Sequence, residues 1–573
     1  MISVDAVVRR TIGKTSGYGG LMVVALGAAT AALSLAGCGA SADRWFCASQ
    51  GCDWTKEEWA RIESLSPLPD PPGDLSNDFW NVSDAAELGQ AFYFDTRFSG
   101  NATLVDSIGN TVPYARAALG QPINVACATC HDPKRGGADF TSAPNTVSIG
   151  AGWYDVNGQE TVNAAQYALL YWNGRSDSLW AQAAAVAESG VSVNGNRLAI
   201  FWTLANDATY RAKYIALFGS DAITDPPPAA GTYPASGKPG QAAFDDMVAG
   251  DKVKITRVYV NWAKAIAAYE YRLVSRDSAF DRWVADGPDS SWISPAAKRG
   301  AQLFVGKASC IDCHNGPFFS DNAFHDVGVP QVGSHVPTVA DCFPGDAKCD
   351  CTPGDEKSTC LPAGAWGGLL KLKTKPLTDS NDSKFSFTNF RRDSIWADGM
   401  MMDTSRASYY DGPKDATFKG SWRTPSLRDV ALTAPYMHDG AYATLEDVVW
   451  AYNQGGDASG ASQFQLPICA ASTSTADGGA CMEAGAPSPG RSVQIKPLLL
   501  TADEVADLVE FLKTLTDPCL KSRECLTKWI PGPDDPDPDG LRICAKDASG
   551  KELWAPSCEP TRYRPAGAPP QQR

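Results

Sequence analysis

Two short stretches of the chain share one pattern: NVACATCHDP at residues 124–133 and ASCIDCHNGP at residues 308–317. Each has two cysteines separated by two residues and followed directly by a histidine. In this arrangement both thiols can bond the vinyl groups of one haem while the histidine binds its iron. A redox or zinc dithiol is the alternative, but two complete copies favour two covalently bound c-type haems. The predicted attachment residues and iron ligands are Cys127, Cys130, His131, Cys310, Cys313 and His314.

A similar helix start precedes each motif. Ser83 opens SDAAELGQAF and Ser294 opens SPAAKRGAQLF, and in both a glycine follows the serine by six residues. Serine is a preferred N-cap, and Pro295 suits the first helical position. The repeat therefore predicts two similar helical units.

The pattern as a whole predicts an all-α fold: two tandem cytochrome-c-like domains with Cys-rich loop insertions and irregular N- and C-terminal extensions. Further helices are predicted over residues 253–273, from Thr444, and from Thr501 to about Leu515, where both threonines begin capping sequences. The predicted boundaries are a signal peptide at 1–37, a tether at 38–82, haem domains at 83–275 and 276–517, and a Pro/Cys-rich tail at 518–573, with a linker at 275–291.

The N-terminal segment has the order of an export signal. Three basic residues precede an apolar run at residues 21–35, which ends in Leu-Ala-Gly-Cys at Cys38. This ending resembles a bacterial lipobox and predicts an exported protein at the periplasmic face, held to a membrane by lipid on Cys38; a plain membrane anchor is the alternative. Without the leader, whose net charge is +2, the formal charge goes from −15 to −17. Such an acidic chain argues against nucleic acid as a partner.

Cysteine usage agrees with export. Of 17 cysteines, one is assigned to lipid and four to haem, which leaves an even set in short loops. This pattern predicts disulfides formed in an oxidising compartment, and a zinc site in the four-cysteine loop is the alternative. The local sets are Cys47 and Cys52; Cys342, Cys349, Cys351 and Cys360; Cys469 and Cys481; Cys519 and Cys525; Cys544 and Cys558.

Four further stretches resemble one family, the bacterial diheme cytochrome c peroxidases and the related MauG enzymes. They are YWNGRSDSLWAQA (171–183), KAIAAYEYRLVSRDSAFDRW (264–283), CIDCHNGPFFSDNAFHDVGVP (310–330) and RTPSLRDVALTAPYMHDG (423–440). The resemblance covers roughly residues 83–515, and its segments occur in the family's order. It implies two haem domains and an oxidoreductase that receives electrons from a small cytochrome or cupredoxin, or acts on a protein or organic substrate.

The resemblance also implies the second ligand of the C-terminal haem. Met437 is one possibility, because methionine opposite histidine is a common ligation. In the family, however, the ligand lies fourteen residues past the histidine of the His-Asp-Gly motif, which is Tyr452 here. Peroxidases of the family have methionine there and the MauG branch has tyrosine. The alternative is that Tyr452 only packs with Val448 and Val449.

The N-terminal haem departs from the family's peroxidase pattern. The chain reads SIGAGW, with Ala151 where those peroxidases have a distal histidine, and Ser192 aligns with their distal glutamate. The resemblance therefore implies an open iron face, as in the MauG branch, and leaves peroxide turnover in question. Gln182 matches the family's distal glutamine. Glu188 is a candidate replacement for the missing acid, or a solvent-exposed residue.

The same resemblance assigns an electron relay and a calcium ion. Trp172 matches the tryptophan between the two haems, although an interface aromatic can serve only packing. Asn157, Thr433 and Pro435 match residues that bind calcium, the last two through main-chain carbonyls.

Other motif residues have weaker assignments. Arg423 and Arg428 can pair with haem propionates or be ordinary surface arginines. His325 and His438 are expected to be hydrogen-bonded structural groups, and His335 has no assigned role.

These residues predict an exported enzyme that activates hydrogen peroxide or oxygen at its N-terminal haem and relays electrons through the C-terminal one. The family often dimerises, so a homodimer is possible. The rival prediction is a non-catalytic electron-transfer protein that has lost its distal acid.

Overall fold

The computed structural model describes residues 44–47, 52–106, 111–112, 114–139, 147–329, 349–350, 361–362, 390–398, 421–456, 495–520, 529 and 546–547. Two compact units are distinguished, Met1–Arg44 and Trp45–Arg573, and everything below concerns the second. The predicted signal peptide, Cys38, His335 and most of the cysteines predicted to form disulfides lie outside the described residues.

Helices dominate the described residues. Those helices are α1 Lys56–Glu63, α2 Ser83–Tyr93, α3 Cys127–Cys130, α4 Leu179–Ala187, α5 Arg197–Asn206, α6 Ala208–Phe218, α7 Ala242–Asp245, α8 Ala249–Glu270, α9 Ala279–Asp286, α10 Pro295–Val305, α11 Leu445–Asn453 and α12 Ala502–Lys513. The strands are two to four residues long: β1 Arg44–Cys47, β2 Cys52–Thr55, β3 Tyr114–Ala115, β4 Phe324–His325, β5 Cys349–Asp350, β6 Leu361–Pro362, β7 Trp422–Arg423 and β8 Lys546–Asp547. They form four two-stranded pairs, β1–β2, β3–β8, β4–β7 and β5–β6. Within the described part of the chain, no helix combines the length and apolar character needed to cross a membrane.

The helix caps follow the sequence with one exception. The Ser294 hydroxyl accepts the backbone N–H three residues later and so caps α10. Thr444 and Thr501 form capping boxes at α11 and α12, which confirms both predicted starts. The cap expected at Ser83 is wrong: Ser83 is the first helical residue of α2, and Val82 before it has no side chain that can cap.

Two other predicted boundaries need correction. The helix expected over residues 253–273 is α8, which begins earlier and ends at Glu270. The linker expected at 275–291 contains α9, which begins with a capping box between Ser278 and Asp281 and buries Phe280 and Trp283. This eight-residue helix therefore packs into the core through two aromatic side chains, although the residues on either side of it are polar.

The repeated glycines mark the closest helix contacts. A Cβ added at Gly89 in α2 would lie 1.8 Å from the carbonyl oxygen of Ala265 in α8. A Cβ added at Gly300 in α10 would lie 2.0 Å from the carbonyl oxygen of Asp507 in α12. Each predicted unit is therefore built on one helix pair whose backbones touch where the sequence repeat has glycine.

Two hydrophobic cores surround these helix pairs, and the ends of the described chain cross between them. Residues expected to form a loose tether are folded instead: Trp54, Trp59 and Leu65 are buried in the C-terminal core. The start of the expected tail is folded as well, because Leu520 is buried in the N-terminal core and the Tyr269 hydroxyl donates to the Trp529 carbonyl at 2.6 Å. Each core is therefore completed by a segment distant in sequence.

Candidate haem sites

The first motif lies on the wall of a large cavity. Helix α3 holds both cysteines, and His131 follows it directly. All three side chains line a cavity of about 1190 Å³, part of it open to solvent. None of the four motif cysteines is in a disulfide, so the thiols needed for thioether bonds are retained.

His131 is oriented as an iron ligand requires. Its Nδ1 lies 2.8 Å from the carbonyl oxygens of both Gly137 and Gln159. Donation from Nδ1 to these oxygens leaves the Nε2 lone pair available for a metal. Gly158 is needed beside the ring, because a Cβ there would meet the imidazole Cε1 at 3.1 Å.

The second motif has the same construction. Cys310, Cys313 and His314 line a second cavity of about 1710 Å³, also partly open. His314 Nδ1 lies 3.0 Å from the carbonyl oxygen of Phe319. Burial lowers the pKa of His314, which favours the neutral imidazole that binds iron.

Tyr452 lies in this second cavity, as its assignment requires. It is carried by α11 and lines the cavity together with both motif cysteines. Burial, followed by the nearby cysteines Cys313 and Cys310, raises the pKa of its phenol. A buried phenol with no cation beside it would ionise only when bound to a metal. Met437 lines the same cavity, so burial alone does not distinguish the two candidate ligands.

Of the two departures from the family pattern, Ser192 lines the first cavity, as does Gln182, whereas Ala151 is not among its lining residues. Ala151 is fully buried beside Leu104 and Val125, and its N–H donates to the Ser192 carbonyl at 2.7 Å. The two replaced positions therefore lie side by side. His131 is the only histidine among the described residues of this wall.

The structure does not support Glu188 as a replacement acid. Its carboxylate binds the buried Arg197 guanidinium through two bonds of 2.6 and 2.9 Å. It also accepts the Arg197 backbone N–H at 3.1 Å and does not line the cavity. A carboxylate with both oxygens bound to a buried guanidinium is committed to that partner.

One acid in the cavity wall was missed by the sequence reading. Glu270, at the end of α8, lines the cavity and is only 4% exposed. Its Oε2 has no hydrogen-bond partner within the described part of the structure. Burial raises the pKa of Glu270 to about 8, so the side chain is neutral near pH 7. No sequence signal marks it, because α8 places many apolar residues around it.

Trp172 occupies the wall between the two cavities. It lines both of them, as do Asn157 and Arg423. The indole N–H donates to the Asn157 carbonyl at 2.9 Å, and the Arg423 N–H donates to the Trp172 carbonyl at 2.8 Å. On the far side, the His438 ring meets the indole edge at 6.5 Å between centroids. Trp172 therefore contacts both cavities, and its role as a relay stays a prediction.

The proposed calcium residues converge on the same region. Asn157, Thr433 and Pro435 all line the second cavity. Both side-chain polar atoms of Asn157 are buried without a hydrogen-bond partner among the described residues. A buried amide oxygen without a partner is a suitable ligand for a hard cation.

The two arginines of the family motif have different surroundings. Arg423 is 1% exposed, and its Nη1 has no hydrogen-bond partner within the described ranges, which fits a haem propionate. Arg428 instead binds both carboxylate oxygens of Asp281 at 2.9 Å. Although burial opposes it, this pairing lowers the pKa of Asp281. Arg428 is therefore committed to a protein partner, contrary to the propionate assignment.

The two remaining motif histidines line the second cavity as structural groups. His438 stacks on Trp422 at 4.1 Å between ring centroids, and burial lowers its pKa to about 3. His325 Nε2 lies 2.8 Å from Asp321, and the bond to Asp321, with Cys313 adding to it, raises the pKa of His325 to about 10. The pairing of β4 with β7 sets His325 opposite Trp422.

Comparisons with known proteins agree with this geometry. Residues 83–289 match the family model for di-haem cytochrome c peroxidase. The chain is 29% identical over 461 residues to cytochrome-c peroxidase IdrP1 of Denitromonas iodatirespirans, covering 80% of this chain and 87% of that protein. It is 24% identical to the methylamine utilization protein MauG of Methylorubrum extorquens, covering 82% and 88%.

Solved structures give a weaker likeness. A MauG-like protein associated with microbial copper homeostasis aligns over 80% of this chain and 96% of its own, with 21% identity and a TM-score of 0.46, too low to support an argument. The sequence matches therefore show that this chain is similar to the di-haem cytochrome c peroxidases and MauG proteins.

Proposed function

We propose that this protein activates hydrogen peroxide or oxygen at an N-terminal haem held by Cys127, Cys130 and His131. A second haem, held by Cys310, Cys313 and His314 and ligated by Tyr452, supplies electrons through Trp172. The observation that carries the proposal is the placement of Trp172 on the walls of both cavities.

A haem held by these residues would supply the oxidation–reduction chemistry, and the protein's own residues set its conditions. His131 would bind the iron, and two carbonyl oxygens orient its ring. Gln182 extends from α4 into the cavity as a hydrogen-bond donor, and Ser192 leaves room where a larger acid would stand. Asn157, Thr433 and Pro435 bind a calcium ion beside the relay. Exporting the protein to the periplasm on a lipid-modified Cys38 would place it beside small electron-donor proteins, and disulfides suit that compartment.

The resting ferric protein tests the two ligand sets together. An open N-terminal iron gives a high-spin signal, and a closed His/Tyr iron gives a low-spin signal. Electron paramagnetic resonance of the purified holoprotein should show one of each. Two low-spin signals would contradict the open first site.

A non-catalytic electron-transfer protein is the second candidate. The pairing of Glu188 with Arg197 favours it, because no ionisable side chain remains at the expected distal acid position. Rapid mixing of the ferric holoprotein with hydrogen peroxide separates the candidates. Spectral change in the Soret band within seconds supports the enzyme, and an inert band supports the electron carrier.

A further inference from the structure

An oxidising equivalent formed in the first cavity would meet several oxidisable side chains. Four tyrosines, Tyr93, Tyr154, Tyr167 and Tyr171, line this cavity and not the second, whereas Trp172 lines both. If the proposed relay operates, oxidation of any of these tyrosines would divert the equivalent away from the second haem. The Tyr93 hydroxyl donates to the His131 carbonyl at 2.7 Å, which is no base, and Tyr154 binds Arg175. Tyr167 and Tyr171 each have a guanidinium directly against the ring.

Tyr171 is covered by a cation. The Cζ atom of Arg175 lies 3.4 Å from the centre of the Tyr171 ring, and the same guanidinium binds the Tyr154 hydroxyl. A positive charge against the ring opposes removal of an electron from it. The Tyr171 hydroxyl donates to the Gln182 carbonyl at 3.2 Å, which is no base, and burial raises the pKa of Tyr171. This phenol therefore resists losing its proton as well as its electron.

Tyr167 is covered in the same way. The Cζ atom of Arg423 lies 3.3 Å from the centre of its ring. The Tyr167 hydroxyl donates to the Glu160 carboxylate, which could accept its proton. The Glu160 carboxylate makes oxidation of Tyr167 easier by accepting its proton, and the positive charge of Arg423 opposes that oxidation.

Trp172 has no such cation within the described ranges. Over the described part of the chain, no arginine or lysine lies against its ring. Its N–H donates to a neutral carbonyl at 2.9 Å, and the imidazole at its edge is neutral because burial lowers the pKa of His438 to about 3. Among the described side chains, none with a positive charge covers the indole face as the two arginines cover the tyrosines.

We propose that Arg175 and Arg423 are positioning residues that make Tyr171 and Tyr167 poor electron donors and so direct one-electron oxidation to Trp172. This inference rests on the proposed function. The Trp172 indole would lose one electron to the oxidised group held by His131 in the first cavity, and would regain one from the reduced group held by His314 in the second. The indole proton stays on nitrogen because the Asn157 carbonyl, which accepts its hydrogen bond, is not a base.

Arg175→Met tests the inference because it removes the charge and keeps the apolar length. The holoprotein is mixed with hydrogen peroxide, freeze-quenched, and its radicals are assigned by high-field electron paramagnetic resonance with ring-deuterated tryptophan. We expect a tryptophanyl radical in the unchanged protein, and a tyrosyl-to-tryptophanyl ratio raised roughly tenfold or more by Arg175→Met. Adding Tyr171→Phe to that variant should remove the tyrosyl signal.

Arg97→Met is the matched control. Arg97 lies 5.1 Å over the Tyr210 ring, and neither residue lines a haem cavity. The same change of side chain there should leave the ratio as it was. If Arg175→Met does not fold, Arg175→Gln is used in its place. The protein without substitutions is a test by itself, because a dominant tyrosyl radical in it would overturn the inference.

A peracid, which carries a good leaving group and needs no distal acid, separates this inference from the proposed function. A tryptophanyl radical with peracid but none with hydrogen peroxide would refute peroxide activation and support the role of the cations. No radical with either oxidant, or an unchanged ratio in Arg175→Met, would refute the inference.

Discussion

Replacing either repeated glycine by alanine should destabilise the helix pair that it belongs to. In Gly300→Ala the new methyl group would lie 2.0 Å from the Asp507 carbonyl oxygen, and real Cβ atoms essentially never approach closer than 3.0 Å. Helices α10 and α12 must therefore separate by about 1 Å. Overpacking of this kind costs about 1–3 kcal/mol, and a 1 Å gap forfeits a quarter to a half of each affected dispersion contact. Alanine returns about 1 kcal/mol of helix propensity.

We expect a net loss of up to about 2 kcal/mol in the free energy of unfolding, which lowers the Tm by up to roughly 8 °C for a unit of this size. Differential scanning calorimetry measures the change. Since Leu508 and Leu512 of α12 line the second cavity, the low-spin haem spectrum should change as well. Gly250→Ala is the control, because Gly250 lies in α8 with nothing within 4 Å of an added Cβ. A Gly300→Ala protein as stable as Gly250→Ala would refute the reasoning.

Three further predictions concern the cavities. Tyr452→Phe should abolish the low-spin ferric signal because the phenolate oxygen is lost, whereas Tyr436→Phe, in the same cavity, should keep it; an unchanged spectrum in Tyr452→Phe would refute the ligation. Burial raises the pKa of Glu270 from 4.5 to about 8, so the folded protein retains a proton that the unfolded chain loses in this range. The free energy of unfolding should therefore fall as pH rises between these two values, by up to about 1.4 kcal/mol per pH unit. Denaturant unfolding at about pH 5 and about pH 8 measures this difference, which should disappear in Glu270→Gln. Asn157→Ala removes the orphaned amide oxygen and should weaken calcium binding at least roughly tenfold by isothermal titration calorimetry while leaving the resting haem spectra unchanged; equal calcium affinity would exclude this site.

Local patterns in the sequence predict the haem residues, and they predict correctly the helix starts at Ser294, Thr444 and Thr501. The spacing of the cysteines and histidine in each motif is set by the haem itself, so adjacent residues contain the whole signal. The capping boxes at Thr444 and Thr501 are equally local, because each needs only a threonine and an acid three residues later. The repeated glycines could be recognised from sequence, but the helix that each one touches could not.

Contacts between distant residues explain the expectations that failed. Arg428 is held by Asp281, 147 residues away, and nothing in its own motif indicates that partner. The segment around Trp54 and Trp59 is rich in polar residues, which is typical of a tether. In the folded protein, however, both tryptophans pack against Trp283, which is distant in sequence. The role of Glu270 could not be predicted either, because its helix is mostly apolar and a single carboxyl group in it forms no recognisable motif.

Asn157 connects features of the site that would otherwise be separate. Its carbonyl accepts the Trp172 indole N–H, and its own N–H donates to the His438 carbonyl at 2.7 Å. Its side-chain oxygen is left for a cation. The first two contacts use only the backbone, which any residue supplies, and the third alone depends on the amide. A change of side chain at this position therefore separates metal binding from the geometry of Trp172, whereas displacement of the backbone would disturb both. If calcium is needed only to fix the main chain of Asn157, the ion stabilises the wall between the two cavities and does not have to contact the Trp172 indole.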